Sequence, residues 1–508
     1  MTNPDVKAVP TGAPPAPPPT ARLRFSLTAA QAAALAQDGL LDASPAMLRA
    51  RHLAETWFDT PGFALLRHGL RLSTEKTRRG YVQTLRRAED FCAATPIPGA
   101  TPDPAAFPPE WAEPLAALFE GESLVPAFSL RIKRVTRQAG GAEMRFETGF
   151  IQTATEKRPC NELELSGPAA ELYALALALA EKHLLVLQPV PLAQRGVWAT
   201  GAVRPGAVKA GPGLSGAPCL DDAVTALTQS CLTQFTANWP VFALGAEIEA
   251  VHQMRVAMRR LRSVLGLFNR AFAAPEFFAF RNEAKRIANL MGEARNWDVF
   301  TALLRAGPIE AFPYEPGFAA MLEQCAGFRA EGYAAVRELL ADPATTRFLL
   351  GAENFLARHG WRNGLEVEAL AGLTEPAQNF AAVNLERLHR KVRKRGKHLM
   401  RTGAHERHLT RIELKKLRDT ADLFGGLFEA RGKIRAYNRV AAELQEELGL
   451  LNDLATANEL LARLDGSTPD KARAIGIVLG WCAQAARADD KQLAKRWKAF
   501  TDTKPFVG

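Results

Sequence analysis

At 508 residues, with 47% hydrophobic and 23% charged residues, the chain has the composition of an ordinary globular protein and room for roughly two to four domains. A formal net charge of +10 directs attention to anionic partners: nucleic acid, anionic lipid, or a phosphate-rich polymer or small molecule. The six cysteines, Cys92, Cys160, Cys219, Cys231, Cys325 and Cys482, include no CxxC pair, which argues against a zinc site or a dense disulfide framework and for a reducing interior.

In chain order, residues 1–20 are rich in proline and alanine, are expected to be disordered, and lack the pattern of a signal peptide. Residues 21–200 read as a mixed α/β domain. Strand-like alternation occurs at 21–27 (ARLRFSL), 79–86, 127–137 and 142–156, and helical stretches at 28–41 and 168–185. The apolar run ELYALALALAEKHLLVLQP is interrupted by Lys182 and His183 and falls short of a membrane span, so a cytoplasmic protein without a membrane partner is expected. Residues 201–218 carry the glycine, proline and alanine of a flexible linker. From 219 to 500 helix formers dominate without a convincing strand, and 501–508 form a short tail.

The helical part contains an internal repeat. His252, Arg255, Arg259, Arg260 and Arg262 recur, 156 residues later, as His408, Arg411, Lys415, Lys416 and Arg418. A second shared element follows each copy, LMGEARNWDVF at 290–300 and EELGLLNDLATA at 446–457, its glycines Gly292 and Gly449 being 157 residues apart. Two elements repeating at nearly one offset indicate duplication, with each copy forming a helical bundle and the two packed as pseudo-symmetric halves.

On a helical wheel His252, Arg255, Arg259 and Arg262 fall within an arc about 80° wide, opposite Met254, Met258, Leu261, Leu265 and Phe268. The second copy places His408, Arg411, Lys415 and Arg418 on one edge in the same way. A solvated helix face ordinarily intersperses glutamates at i±4; the first copy has none and the second only Glu413, on its apolar side. A third basic segment, 388–401, holds Arg393 and Lys397 without an acid. An acid-free ridge repels itself unless an anion completes it, so anion binding is the expected role. Each histidine opens a ridge and is expected to donate to phosphate oxygens, helped by protonation beside a bound anion. Metal ligation is disfavoured because no carboxylate or cysteine recurs at ligand spacing. Arg295, Asn296 and Asp298, with Asn452 and Asp453, are expected to brace the basic side chains from a neighbouring helix.

Both histidine–arginine copies, with their linked downstream elements, resemble the CHAD domain, the conserved histidine α-helical domain, over roughly residues 219–500. That resemblance implies two pseudo-symmetric helical bundles around a basic channel that holds inorganic polyphosphate, lined here by His252, Arg255, Arg259, Arg260, Arg262, Arg393, Lys397, His408, Arg411, Lys415, Lys416 and Arg418. Asn296 departs from the family, which usually carries aspartate there.

Residues 21–200, through TWFDTPGFALLRHGLRL (56–72), YVQTLR (81–86), FSLRIKR (128–134) and NELELSG (161–167), resemble the CYTH or triphosphate tunnel fold. It implies an eight-stranded antiparallel tunnel in which basic residues hold a triphosphate and glutamates hold Mg²⁺ or Mn²⁺ for hydrolysis. The family opens on Glu-x-Glu-x-Lys, whereas this chain reads Arg22-Leu23-Arg24-Phe25-Ser26. Further departures are Leu72-Ser73-Thr74-Glu75 for a basic pair, Glu162-Leu163-Glu164-Leu165-Ser166 for a longer acidic strand, and Leu192 for a lysine.

The expectation is therefore a multidomain protein, an antiparallel β-tunnel (α+β) followed by an all-α CHAD domain. It binds polyphosphate and is targeted to polyphosphate granules, its tunnel no longer a metal-dependent triphosphatase. No cofactor is expected, Mg²⁺ or Mn²⁺ entering only if the tunnel is active. Arg22, Arg24, Arg86, Arg131 and Arg134 make a candidate metal-free anion pocket, with no catalytic or metal residues assigned. An active inorganic triphosphatase or organic phosphate hydrolase is the alternative. Nucleic-acid binding is a further one, disfavoured because no aromatic residues interleave with the ridges for base stacking.

Overall fold

The computed structural model describes residues 20–39, 49–87, 90–119, 121–139, 141–245, 247–272, 274–488 and 490–506. The expected disordered segment 1–20 thus lies outside the described residues except for Thr20, which begins the first strand. The chain divides into two compact units, Met1–Gln188 and Pro189–Gly508.

One antiparallel sheet organises the first unit. Its strands are β1 (Thr20–Ser26), β2 (Arg49–Asp59), β3 (Leu70–Thr77), β4 (Gly80–Arg87), β5 (Asp90–Ile97), β6 (Val125–Ala139), β7 (Ala142–Gln152), β8 (Lys157–Pro168) and the two-residue β9 (Val186–Leu187). They lie in the order β5-β4-β3-β2-β6-β7-β8-β1-β9. Alternation gives the sheet two unlike faces. One buries Phe25, Leu72, Leu85, Met144, Leu163 and Leu165 completely, with Leu72 and Leu85 in a cluster that includes Leu115 of helix Pro109–Phe119. The other face carries charge, described below.

The four strands legible from alternation are β1, β4, β6 and β7. In β3 the alternation breaks because Ser73 and Thr74 are both buried, Thr74 Oγ1 donating to the Ala100 carbonyl at 2.8 Å. The edge strand β5 contains Pro96, where the missing N–H is tolerated. The first expected helix forms as Ala29–Ala36, begun by a reciprocal Thr28–Gln31 capping box. The second forms as Ala169–His183 and stops at Leu184, at φ 51°.

The second unit is helical, and its only strand-type pairing among the described residues is an isolated bridge, Cys219–Pro376. Residues 201–218 have no regular structure but are tied down: Asn238 exchanges hydrogen bonds with the Val208 backbone at 2.9 and 2.8 Å, and Leu214 N donates to the Leu423 carbonyl at 2.8 Å. The duplication is visible helix by helix. Leu220–Ala243, Glu247–Phe272, Pro275–Ala306 and Gly317–Ala341 are followed, in the same sequence, by Ala377–Arg395, Ala404–Phe424, Arg431–Leu461 and Pro469–Ala488. The later helices of the two repeats share one core. Trp297, Phe300, Leu304, Phe318, Met321 and Cys325 of the first pack with Leu454, Leu460, Leu461, Ala474, Val478 and Cys482 of the second. A phenylalanine chain adds a second junction, Phe268 stacking on Phe380 at 5.6 Å and Phe380 meeting Phe424 at 6.1 Å. No helix of the described residues is long and apolar enough to cross a membrane.

Trp297 is fully buried in the shared core and stacks on Phe328 at 4.7 Å. Trp297→Ala is expected to lower stability by about 3–5 kcal/mol, read as a fall in the denaturant midpoint of the helical unit's transition.

Candidate anion-binding site

On the polar face of the sheet, arginines and glutamates meet pairwise. Arg24 stands opposite Glu164 in the β1–β8 register and contacts it at 2.7 Å through Nε. Arg145 of β7 reaches the same carboxylate at 3.0 Å, Arg134 Nε donates to Glu147 at 2.6 Å, and Arg51 pairs with Glu75. Glu55 is held above the usual carboxylate range, mainly by burial and then against a hydrogen bond from Ser73, with Arg86 and Arg134 pulling it back. Of the expected pocket, Arg24, Arg86 and Arg134 share this face, with Arg22 at an exposed position on it. Arg131 does not: three residues from Arg134 on one strand, it points to the opposite face and is exposed. Arg145, Arg51, Glu147 and Glu55 belong to the face and were missed, although strand alternation from Glu143 or Arg134 would have found the first and third.

This face does not fit a divalent cation. Glu164 is already held between two guanidinium groups, and among the described residues no group of three or more His, Cys, Asp or Glu could hold a metal ion.

The helical unit presents a different balance. Glu247–Phe272 and Pro275–Ala306 run antiparallel as a hairpin, so His252 lies beside Arg295 and Arg255 lies along Gly292, where a Cβ would stand 3.5 Å from Nε. In the second repeat the corresponding hairpin places His408 Nδ1 on the Asn452 side-chain oxygen. The two basic helices then face each other. Arg255 is held below the usual guanidinium value by burial first, then by repulsion from Arg259, Arg411 and Arg295. Arg411 is lowered by burial and by Arg259, with Asp453 opposing. Lys415 is pushed down to about 7, by burial and then by Arg411, Arg259 and Arg255. His252, Arg255, Arg259, Arg295, Arg411 and Lys415 therefore form one cationic site drawn from both repeats.

Its internal acids are few. Asp419 takes Arg259 at 3.1 and 3.3 Å and accepts from Ser263 Oγ at 3.3 Å; Asp453 reaches Arg411 at 3.9 Å. The buried Nε atoms of Arg255 and Arg411 have no hydrogen-bond partner, and no ion pair holds Arg255, Arg295 or Lys415 among the described residues.

The other expected residues stand outside this set. Arg260 is 6% exposed and donates to the Gln234 side chain at 3.3 Å, a structural contact in the bundle interior. Lys416, its repeat counterpart, pairs with Glu413 at 2.9 Å. Both follow directly on a ridge residue, so the 100° helical step turns them off the ridge. Arg393 and Lys397 are exposed; Arg393 acts on His389, which packs against Tyr437 and Phe500. Arg262 is half-buried farther along the first ridge, and Arg418 acts on Asp422. Arg295, expected on the neighbouring helix, lies close enough to lower both His252 and Arg255. His252 is itself lowered, by burial first and then Arg295, so without an anion the neutral imidazole is favoured near pH 7.

Because the folded state lowers Lys415, the unfolded chain binds more protons between about pH 7 and the ordinary lysine value, and stability rises with pH across that window. The cost of Lys415 is complete below about pH 7. Lys415→Met is expected to raise the melting temperature at pH 6, by the equivalent of about 1 kcal/mol, and to lose that advantage toward pH 10, as followed by thermal unfolding at several pH values.

Comparison with known proteins bears on the helical unit. The crystal structure of the CHAD domain from the plant Ricinus communis is 27% identical, covering 59% of this chain and 98% of that chain, with a TM-score of 0.50. An uncharacterized protein of Mycobacterium tuberculosis (strain CDC 1551 / Oshkosh) is 28% identical over 240 residues, 44% of this chain and 42% of the relative. This chain thus spans about two-fifths of the length of that curated relative. The crystal structure of a candidate adenylate cyclase from Bacillus halodurans matches 34% of this chain and 95% of its own at 11% identity, with a TM-score of 0.22. The sequence description of the CHAD domain matches residues 226–462. Beyond its antiparallel sheet domain, the chain carries a C-terminal CHAD domain.

Proposed function

We propose that the helical unit binds inorganic polyphosphate at the joint cationic site and holds the protein on polyphosphate granules in the cytoplasm. The observation that carries this reading is the set of half-buried cations, Arg255, Arg295 and Lys415, that no ion pair holds among the described residues. Phosphate oxygens supply what the site lacks: negative charge at every repeat unit and acceptors for the orphaned guanidinium N–H groups. His252 and Lys415, lowered in the free protein, would take up protons as an anion enters, so affinity should fall as pH rises above about 7.

The sheet unit is read as a CYTH-like domain that has lost metal-dependent triphosphate hydrolysis. Arg24 and Arg145 neutralise Glu164 where a metal-holding carboxylate would have to be free.

Titration of the full chain with polyphosphate across a salt series tests the binding site. Each phosphate contact to a single-stranded polyanion contributes about 0.7 to the slope of log affinity against log salt. Arg255→Gln with Lys415→Met should weaken binding at least about tenfold and reduce that slope by about 1.4, while the melting temperature stays level or rises. Undiminished affinity in this double variant would remove the site assignment. Competition by DNA or RNA at about 0.15 M salt that displaces polyphosphate at equal phosphate concentration would favour a nucleic-acid partner instead. Phosphate release from tripolyphosphate with Mg²⁺ or Mn²⁺, above a no-protein control, would restore the hydrolytic reading.

A further inference from the structure

Arg131, turned away from the paired face of the sheet, has surroundings of its own. Arg131 stands beside Phe150 of β7, and Lys133 lies between His52 of β2 and Thr148 of β7. Lys157 of β8 stands in the next row, across from Gln152. Residues two apart on a strand point to the same side, so these side chains share one face. The three register rows through Ser129, Arg131 and Lys133, followed from β2 to β8, contain no Asp or Glu. His52, Arg131, Lys133 and Lys157 are exposed, and no ion pair holds any of them among the described residues.

The opposite face of the same strands is balanced differently. There Arg134 meets Glu147 across the β6–β7 ladder and Arg145 meets Glu164 across β7–β8. Opposite charges across a ladder stabilise a sheet and like charges directly opposite destabilise it, yet His52 stands directly opposite Lys133. Exposed cations often keep an edge strand from pairing with another chain. These cations lie on β2, β6 and β8, all of which have a neighbouring strand on each side. Edge protection does not account for them.

The rows also carry an aromatic ring. Phe150 is half-buried between Arg131 and Pro159, and Lys157 Nζ stands 3.7 Å from its ring centroid. An ammonium at that distance lies over the ring face, so on that side Phe150 offers a face rather than an edge. Thr148 Oγ1 donates to the Asn161 side-chain oxygen at 3.1 Å, which leaves the Asn161 amide as a donor. Arg131 and Lys133 are about 7 Å apart along β6, and β2 to β8 spans about 14 Å. A basic surface with an aromatic face suits a single-stranded nucleic acid, whose phosphates meet the cations while a base stacks on the ring. Duplex DNA is read by an element that enters a groove, whereas these side chains lie on the broad face of a sheet. We propose that this face binds single-stranded nucleic acid, Phe150 stacking on one base and Arg131, Lys133 and Lys157 contacting phosphates. The site belongs to the sheet unit and does not rest on the polyphosphate reading.

The test titrates the full chain with a labelled single-stranded RNA of about 12 nucleotides and with an abasic strand of the same length and charge. The unmodified protein should bind the RNA about fivefold or more tightly than the abasic strand, the gain from one stacked base. Phe150→Leu should abolish that difference. Arg131→Gln with Lys133→Gln should weaken both strands about tenfold at about 0.15 M salt and lower the salt slope by about 1.4, two contacts at about 0.7 each. Polyphosphate affinity and the melting temperature should hold in both variants. Equal affinity of the unmodified protein for RNA and abasic strand, or undiminished RNA affinity in the double variant, overturns the proposal. A matching loss of polyphosphate binding overturns it as well, because the face is then a general polyanion surface or a structural element. Phosphatidylserine vesicles that the double variant no longer binds, with RNA affinity intact, make the face a membrane contact instead. Failure of the unmodified protein to bind polyphosphate removes the reading of the helical unit and leaves this inference standing.

Discussion

Mutual repulsion among Arg255, Arg259, Arg411 and Lys415 is the constraint around which the helical unit is organised. Two helix edges that carry the same charge do not approach unless something else holds them. Here the holding is done away from the charges, by the core that Trp297, Phe300, Leu454 and Val478 share between repeats and by the Phe268–Phe380–Phe424 chain. Apolar burial is insensitive to the sign of the charges it brings together, so the core can hold a cationic site that ion pairing would never assemble. Asp419 crosses between the repeats to Arg259 and Ser263 and Asp453 acts on Arg255, enough to fix the geometry and fewer acids than cations.

That arrangement places the cost of charge repulsion in the same side chains that form the cationic cluster. Cations packed against one another away from water repel, and that repulsion, with burial, lowers the proton affinity of His252, Arg255, Arg411 and Lys415. The polar face of the sheet illustrates the other solution. There Arg24 sits across the ladder from Glu164 and Arg134 from Glu147, so much of the charge on that face is paired within the sheet. The two units carry similar residue types, but their charges are balanced differently.

Much of this was legible from residue order. The 3.6-residue period put the ridge and the apolar face on opposite sides of each basic helix, and the duplication at 156–157 residues paired the helices by residue order alone. What periodicity could not give was the role of residues next to a ridge position. Arg260 and Lys416 read as part of a basic run, yet one turns into the bundle toward Gln234 and the other toward Glu413. Arg295 was expected on a neighbouring helix, and its place beside His252 depends on the hairpin register. In the sheet, Arg131 and Arg134 looked equivalent in the text although strand alternation alone separates them.

The sequence by itself determined the division into a sheet unit and a duplicated helical unit, the cationic edges, and the arginines Arg22 and Arg24 alternating on the first strand. These are local properties, fixed by spacing and side-chain chemistry along one segment. Only the tertiary structure decided that the two ridges come together and that Arg24 is already paired with Glu164. Whether a charge is balanced depends on which distant segments fold beside it, and no period along the chain carries that information.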